Sequence, residues 1–479
     1  EEEEEEEEEE EAPEEEIIFE EVEKVEEIDL TEIEINKTYT EHLTLGNKLF
    51  NQRYYRAALE EYKAAYKLNQ NSITPMIKLA ETYLKLNDGR TAQKYFERAL
   101  ETSPENTEIK LGLVRSFLNQ RAVERAKDLV WEMDLSYNSV KYYKGIILIL
   151  YNDPEGAKNL FKQISEASDP PAETKLKEKA DKFLNKYLTY SYFTEADPLY
   201  LRTLLAQAMT EVQEYSAAVS LLFEIINEKN NYRDAWILLG YSYLNLNKTN
   251  DAIDSLLQAR ELDEKNPKIN FYLGLAYAAN GENEKAITYL ERAKSYGFEP
   301  LELVELRLAE LYTEQLNFQD AAASYEVVLS KNKSNLSVFS NAIWIYIDYL
   351  KKPSRALKIA QEATLAFPND EIAYNLLGWA HIANEDYADA KIALDNALKI
   401  NDSYDAIYFN LGLLNEKQGH YLLAKEYYKQ AYAMDGSNSI MNLAAERYNN
   451  LINIKDTFKA DISSDSFPSP LMESPSLPL

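Results

Sequence analysis

The chain contains no cysteine. That absence excludes disulfides, thiolate-ligated zinc and thiol nucleophiles. Histidine is scarce too, with three in 479 residues, His42, His381 and His420. They are too far apart in sequence to form a local metal-ligand motif. Glycine is limited to 13 residues, and neither a phosphate-binding glycine loop nor a nucleophile elbow occurs. No continuous apolar run is long enough for a membrane-spanning helix. Basic residues are the minority, 51 Lys and Arg against 82 Asp and Glu, a net charge of −31. That balance argues against a nucleic-acid partner, which requires a basic footprint. No cofactor, metal or catalytic constellation is expected, and the chain is read as non-enzymatic.

The acidity is concentrated. Residues 1–34 hold 22 acidic residues and one lysine, Lys24, so the other 445 carry only about −10. Residues 1–39 are therefore expected to be an acidic, disordered poly-Glu segment, because like charges repel and little apolar surface offsets them. Within it, residues 17–35 interleave apolar residues with acids. The glutamate run attracts divalent cations without offering them a fixed geometry. At the other end, residues 460–479 are rich in serine and proline and are expected to be a disordered tail.

Between these ends a pattern recurs eleven times: a small or closely fitted residue, then alanine twelve positions later. The pairs are Gly46 and Ala58, Ala80 and Ala92, Val114 and Ala126, and Gly145 and Ala157. Then come Ala206 and Ala218, Gly240 and Ala252, Gly274 and Ala286, and Ala309 and Ala321. Trp344 and Ala356, Gly378 and Ala390, and Gly412 and Ala424 complete the series. Successive first members stand 34, 34, 31, 61, 34, 34, 35, 35, 34 and 34 residues apart. A fixed period of this length indicates stacked helical hairpins rather than one globular core. The first residue of each pair falls on one helix and the alanine on the next. Small side chains are needed there because larger ones force the two axes apart. Trp344 and Val114 break that rule and predict altered helix packing nearby.

The residues around these pairs resemble the tetratricopeptide repeat family, whose consensus places Trp, Leu-Gly, Tyr, Ala, Phe, Ala and Pro at set offsets. Tyr374, Leu377, Gly378, Ala390, Leu394 and Ala397 fit it. So do Tyr408, Leu411, Gly412, Ala424, Tyr428 and Ala431, as well as Leu79, Ala80, Tyr83, Ala92, Phe96, Ala99 and Pro104. The resemblance implies an all-α solenoid, a right-handed superhelix of helix-turn-helix repeats that binds protein segments in its concave face. Some members clamp a C-terminal carboxylate with Lys, Asn and Arg. Here Asn47 matches, but Leu43, Lys78, Glu108 and Gly112 occupy the other clamp positions.

The 61-residue interval is one repeat plus 27 residues. The reading is a first block of about four repeats over 40–168, an inserted helix over 169–193 and a second block of about seven over 194–436. Pro170 and Pro171 suit the start of the insertion. Leu176, Ala180, Phe183, Leu184 and Tyr187 give it an apolar stripe at helical spacing. A degenerate repeat with a mis-phased partner helix is the alternative. Residues 437–459, beyond Gly436, are expected to cap the open end.

In such a fold the inner face collects the positions three before and one, four and five after each small residue. In the second block these include Tyr241, Leu244, Asn245, Phe271, Leu275, Asn341, Tyr349, Asn375, Trp379, Phe409 and Leu413. Rings supply buried area and amides bond a peptide backbone, so Tyr241, Asn245, Phe271, Asn341, Tyr349, Asn375, Trp379 and Phe409 are the candidate partner-binding residues. The alternative is that several of these rings pack between neighbouring repeats. Expected partners are proteins, engaged as peptides or helices during complex assembly, and the repeats could also self-associate. A second reading is a bacterial envelope-tethered structural component whose anchor lies upstream of Glu1. Location is accordingly left open between the cytoplasm and, with such an anchor or signal, the periplasm or membrane. The lysines Lys175, Lys177, Lys179, Lys182 and Lys186 form a counter-surface for the acidic segment by charge. Because each repeat should touch only its neighbours, stability is expected to be nearly additive along the stack.

Overall fold

The computed structural model describes residues 38–167, 174–193, 197–434 and 438–451. The poly-Glu segment, Pro170, Pro171, Gly436 and the serine- and proline-rich tail lie outside the described residues. Among the described residues every regular element is helical.

Two compact units divide between Val328 and Leu329. In chain order the first holds α1 (Tyr39–Asn51), α2 (Tyr55–Leu68), α3 (Ile73–Lys85), α4 (Gly89–Thr102), α5 (Thr107–Asn119) and α6 (Val123–Trp131). It continues through α7 (Asn138–Leu150), α8 (Pro154–Glu166), α9 (Thr174–Ser191), α10 (Pro198–Glu211), α11 (Tyr215–Glu228) and α12 (Arg233–Asn245). Then follow α13 (Thr249–Leu262), α14 (Pro267–Ala279), α15 (Asn283–Ser295) and α16 (Leu301–Glu314), with α17 (Phe318–Lys331) crossing the division. The second unit holds α18 (Leu336–Trp344), a π turn at Ile345–Tyr349, α19 (Pro353–Ala366), α20 (Glu371–Ala383), α21 (Tyr387–Ile400), α22 (Asp405–Lys417), α23 (Tyr421–Ala433) and α24 (Asn438–Leu451).

Local chemistry starts these helices where they start. Asp88, Asn106, Asp153 and Asp370 each accept a backbone N–H of the first turn through a side-chain oxygen. The turns between paired helices share one device. Seven residues after each of the eleven small positions, the backbone enters the left-handed region, with φ between 51° at Lys351 and 79° at Gly419. Asn87, Asn152, Asn247, Gly281 and Gly419 suit it, but Arg53, Arg121, Gln213, Leu316, Lys351 and Glu385 do not. Leu316 is 72% exposed at φ 58°, so its side chain gains nothing from packing. Leu316→Gly is expected to raise stability by up to about 1 kcal/mol, the strain relieved less the entropy glycine loses. A denaturant midpoint that does not move upward would refute this.

Within each pair the small residue faces a large one sixteen positions on. A Cβ built at Gly46, Gly240, Gly274, Gly378 or Gly412 would fall 2.4–2.6 Å from Tyr62, Leu256, Leu290, Leu394 or Tyr428 respectively. At Gly145 the neighbour is Phe161, at 2.9 Å. Ala58, Ala80, Ala92, Ala157, Ala252, Ala286, Ala390 and Ala424 are all fully enclosed. The repeat with Trp344 reverses the sizes, because its position sixteen later is Ala360, also fully buried. There the helix opens into the π turn, whose wider ring adds a residue directly after the indole.

First helices of consecutive repeats touch directly. α3 meets α5 and α5 meets α7, α10 meets α12 and α12 meets α14, and in the second unit α18 meets α20, α20 meets α22 and α22 meets α24. They form the inner row of each stack. The final helix α24 lies on α22 and α23 and buries Ile440, Ala444 and Leu451.

Buried phenols make the stack sensitive to alkali. Tyr62 is pushed up to about 12 by burial and then by the Glu81 charge. Tyr272 reaches about 12 through burial and Tyr241, and Tyr312 about 12 through burial and Glu291. A phenol raised on folding keeps its proton while the unfolded chain loses it near pH ~10. The contribution of these groups is therefore complete below pH ~10 and is lost as pH climbs towards ~12. The melting temperature should hold through neutral pH and fall across that window. A melting temperature unchanged between pH ~10 and ~12 would contradict it.

Candidate inner-face binding site

The eight candidate residues divide between the units. Tyr241 and Asn245 on α12 and Phe271 on α14 belong to the first. The structure brings the first two together: the Asn245 side-chain amide donates to the Tyr241 backbone carbonyl at 2.9 Å. The Tyr241 ring lies 5.2 Å from Tyr272 and 6.1 Å from Tyr215, forming a half-buried tyrosine patch. Phe271 is enclosed and stacks on Phe298 at 4.2 Å.

In the second unit Asn341 is half-buried on α18, and Tyr349 is 37% exposed at the end of the π turn. The Tyr349 ring meets Trp344 edge-on at 5.0 Å. Asn375 and Trp379 on α20 and Phe409 on α22 are buried. The Asn375 carboxamide oxygen accepts from the Asn410 amide at 2.9 Å, a cross-link between adjacent first helices. Phe409 lies 5.6 Å from Tyr428. Leu244, Leu275 and Leu413 are likewise buried. Phe271, Asn375, Trp379 and Phe409 thus sit in closed packing, while Tyr241, Asn245, Asn341 and Tyr349 retain accessible surface. Asn245 and Tyr349 stand five after the small residue and stay accessible, whereas the positions three before and one after are closed in some repeats, as at Phe271, Asn375, Trp379 and Phe409, and half-open in others, as at Tyr241 and Asn341.

Two features had no sequence forecast. Glu416, 6% exposed, accepts from the Tyr428 hydroxyl and lies 3.4 Å from the Arg447 guanidinium of α24. Burial and this carboxylate push the Tyr428 phenol well up. A buried charge with two partners ties the last helix to the last repeat. The second feature is that α11 turns back on α5 and α7. Asn119 donates to the Ser216 hydroxyl at 3.4 Å, Tyr143 donates to Glu214 at 3.3 Å, and Arg121 covers the Phe223 ring at 4.2 Å. The inner positions Leu111, Leu118, Tyr142, Ile146, Ile149 and Leu150 are buried. Strict nearest-neighbour additivity fails here, since a fifth-repeat helix rests on the third and fourth. The available signal was the run Ile146, Ile147, Leu148, Ile149, Leu150, too apolar for an open groove.

Two of the histidines are structural in setting. His42 is buried and pairs with Glu61 at 2.7 Å, and His381 lies 3.4 Å from Asp386. The Asn47 carboxamide accepts from the Tyr62 hydroxyl at 2.9 Å. Among the described residues no group of three or more His, Asp or Glu could hold a metal ion, and no helix is long and apolar enough to cross a membrane.

Paired helices repeated at this interval, with a shared inner row, define a helical-repeat solenoid. A tetratricopeptide repeat family model matches residues 77–129, 237–300, 349–406 and 375–439, and these segments are tetratricopeptide repeats. It is similar to TPR repeat-containing protein MJ1428 of Methanocaldococcus jannaschii, at 25% identity over 245 residues, which is 48% of this chain and 42% of that protein. It is also similar to BBSome complex member BBS4 of Bos taurus, at 26% identity over 271 residues, 52% of this chain and 51% of that one. Among solved structures, a chain of the APC/C hetero-tetramer Cut9-Hcn1 aligns over 88% of this chain and 99% of its own, with 13% identity and a TM-score of 0.34. The chain spans between 26% and 51% of the length of the first curated relatives it matches. Tetratricopeptide repeats mediate protein–protein interaction and complex assembly, and the repeat fold is generally non-catalytic.

Proposed function

We propose that the chain is a non-catalytic scaffold that holds peptide or helical segments of partner proteins against the inner rows of its stacks, supporting assembly of a multiprotein complex. The observation that carries this reading is the mixture of accessible rings and amides on first helices, Tyr241 with Asn245 in one unit and Asn341 with Tyr349 in the other. Rings desolvate well at little entropic cost, and amides can both donate to and accept from a peptide backbone. The helices are fixed before binding by the buried contacts beneath them, so little ordering cost falls on association.

The test is affinity capture of native partners with full-length variants. Paired Asn341→Ala and Tyr349→Ala changes should reduce recovery about tenfold, the equivalent of one modest hot spot. Leu365→Ala, at a residue 81% exposed on the second helix α19, should leave recovery unchanged. Equal recovery with both variants would remove the inner row of the second unit as a binding surface.

A further inference from the structure

Two residues beyond the pairing alanine, the side chain is exposed in ten of the eleven second helices, as at Glu60, Asp254, Thr288 and Glu426. α11 is the exception. Its residue there is Ser220, 8% exposed, and Ala217 on the same face is 1% exposed. Eight of the 14 residues of α11 are buried, from Ala217 to Ile226. A helix enclosed all round has neighbours on more than one side. α10 and α12 hold one side, as in any repeat. Ser216, one turn before Ser220, accepts from the Asn119 amide, so the other side rests on α5 and α7. Asn119 stands five after Val114, an inner-row position of the first block. Ser216, Ala217 and Ser220 are small, which lets the helices approach closely. The polar ties across this contact are long, 3.4 Å from Asn119 to Ser216 and 3.3 Å from Tyr143 to Glu214, and bonds of that length are weak. Arg121 covers the Phe223 ring from an exposed turn, where such a pair adds little.

We propose that α11 is a built-in occupant of the first block's inner row. Its small-residue face takes the place of a partner helix on α5 and α7, and a partner gains that row only when α11 lifts away; this rests on the proposed function only in that inner rows accept helices. The contact is a seat without a lock. Small side chains fit closely, but the polar ties are weak, so release costs less than opening a repeat. α11 stays between α10 and α12 and moves with them. α9 is the pivot, since it packs on α8 behind it and α10 ahead. The partner that fits has the chemistry of the face it replaces. It is a helix with an acid before small residues three and four apart, as at Glu214, Ser216, Ala217 and Ser220. The acid meets the Tyr143 hydroxyl, and the small residues meet the end of α5 at Asn119.

The chain has no cysteine, so one pair can be placed cleanly. In the full-length Asn119→Cys, Ser216→Cys variant, a short dithiol cross-linker should join the two within one chain and hold α11 down. The probe is a fluorescent synthetic peptide of residues 212–228. It should bind the cross-linked chain about tenfold more weakly than the same variant left free, because locking removes the binding-competent state. In the natural background, Phe223→Ala removes the ring beneath Arg121 and should tighten peptide binding about tenfold by enlarging the open fraction. Circular dichroism checks that each variant folds. If the cysteine pair does not fold, Tyr143→Cys with Glu214→Cys takes its place. Failure to cross-link would show that α11 does not sit on the inner row. Equal peptide binding by locked and free chains, including none by either, would show that the row is not gated by α11. Either result overturns the proposal. Partner capture through Asn341 and Tyr349 is read separately on the same chains. Capture lost with Asn341→Ala and Tyr349→Ala while the cross-link has no effect on the peptide would keep the proposed function and reject the gate. The reverse pair of results would keep the gate alone.

Discussion

Replacing Phe183 by alanine is expected to destabilise the first unit by about 3–5 kcal/mol, the range for removing a fully enclosed phenyl ring. Phe183 has no exposed surface. Its ring stacks on Phe161 at 4.4 Å with 9° between planes and meets Tyr142 edge-on at 6.2 Å. Phe161 in turn lies over Gly145, so one aromatic column runs from α7 through α8 to α9. The Tyr187 hydroxyl adds one bond to the Pro154 carbonyl at 2.6 Å. Without the ring, α9 keeps that bond and its surface ion pairs, which contribute little alone. The loss should therefore appear first as proteolysis within 174–193, then as a lower midpoint for the unit. A denaturation loss under about 1 kcal/mol would mean that the neighbours collapse into the gap.

Gly274→Leu is expected to cost about 2–4 kcal/mol through overpacking. A Cβ at this position falls 2.6 Å from Leu290 Cγ and 3.2 Å from the Ala286 backbone oxygen. The leucine end can rotate away, whereas the carbonyl belongs to α15 and moves only with the helix. The two helices must then separate along their closest line. Making room is the control: in a Leu290→Ala background, the added penalty for Gly274→Ala should be smaller than in the natural chain. Double-mutant-cycle measurement gives the coupling directly. A loss for Gly274→Leu below about 0.5 kcal/mol would show that α14 and α15 do not approach as described.

The phase of the stack was legible because close helix approach admits few side chains. Gly46, Gly145, Gly240, Gly274, Gly378 and Gly412 mark that approach, and each has its bulky neighbour within 3 Å of the missing Cβ. The apolar stripe through 174–191 was visible as well, and Ala180, Phe183 and Tyr187 are its buried members. Other features left at most an indirect trace in the sequence. The left-handed turn residue is asparagine or glycine in only five repeats, because the seven-residue spacing imposes the conformation whatever side chain stands there. The return of α11 onto α5 and α7 rests on Ser216 and Phe223, residue types that suit any second helix. For the candidate site, an aromatic residue one before or after a given offset reads the same whether it closes a cleft or faces water. Trp379 and Phe409 close clefts, and Tyr349 does not. Asn410 was missed because it stands two, not three, before Gly412, yet it completes the amide pair with Asn375.

The backward lean of α11 sets an order on synthesis. Four hairpins can pile up as soon as residue 166 has left the ribosome, since each needs only its predecessor. The contacts of α11 with α5 and α7 form only once α11, ending at Glu228, has also emerged, and α7 carries the apolar run Ile146 to Leu150. For the time needed to add about sixty residues, several seconds at ordinary elongation rates, the nascent chain presents an oily strip to its surroundings. A trigger-type chaperone would find its substrate in that interval and lose it once the plug is seated.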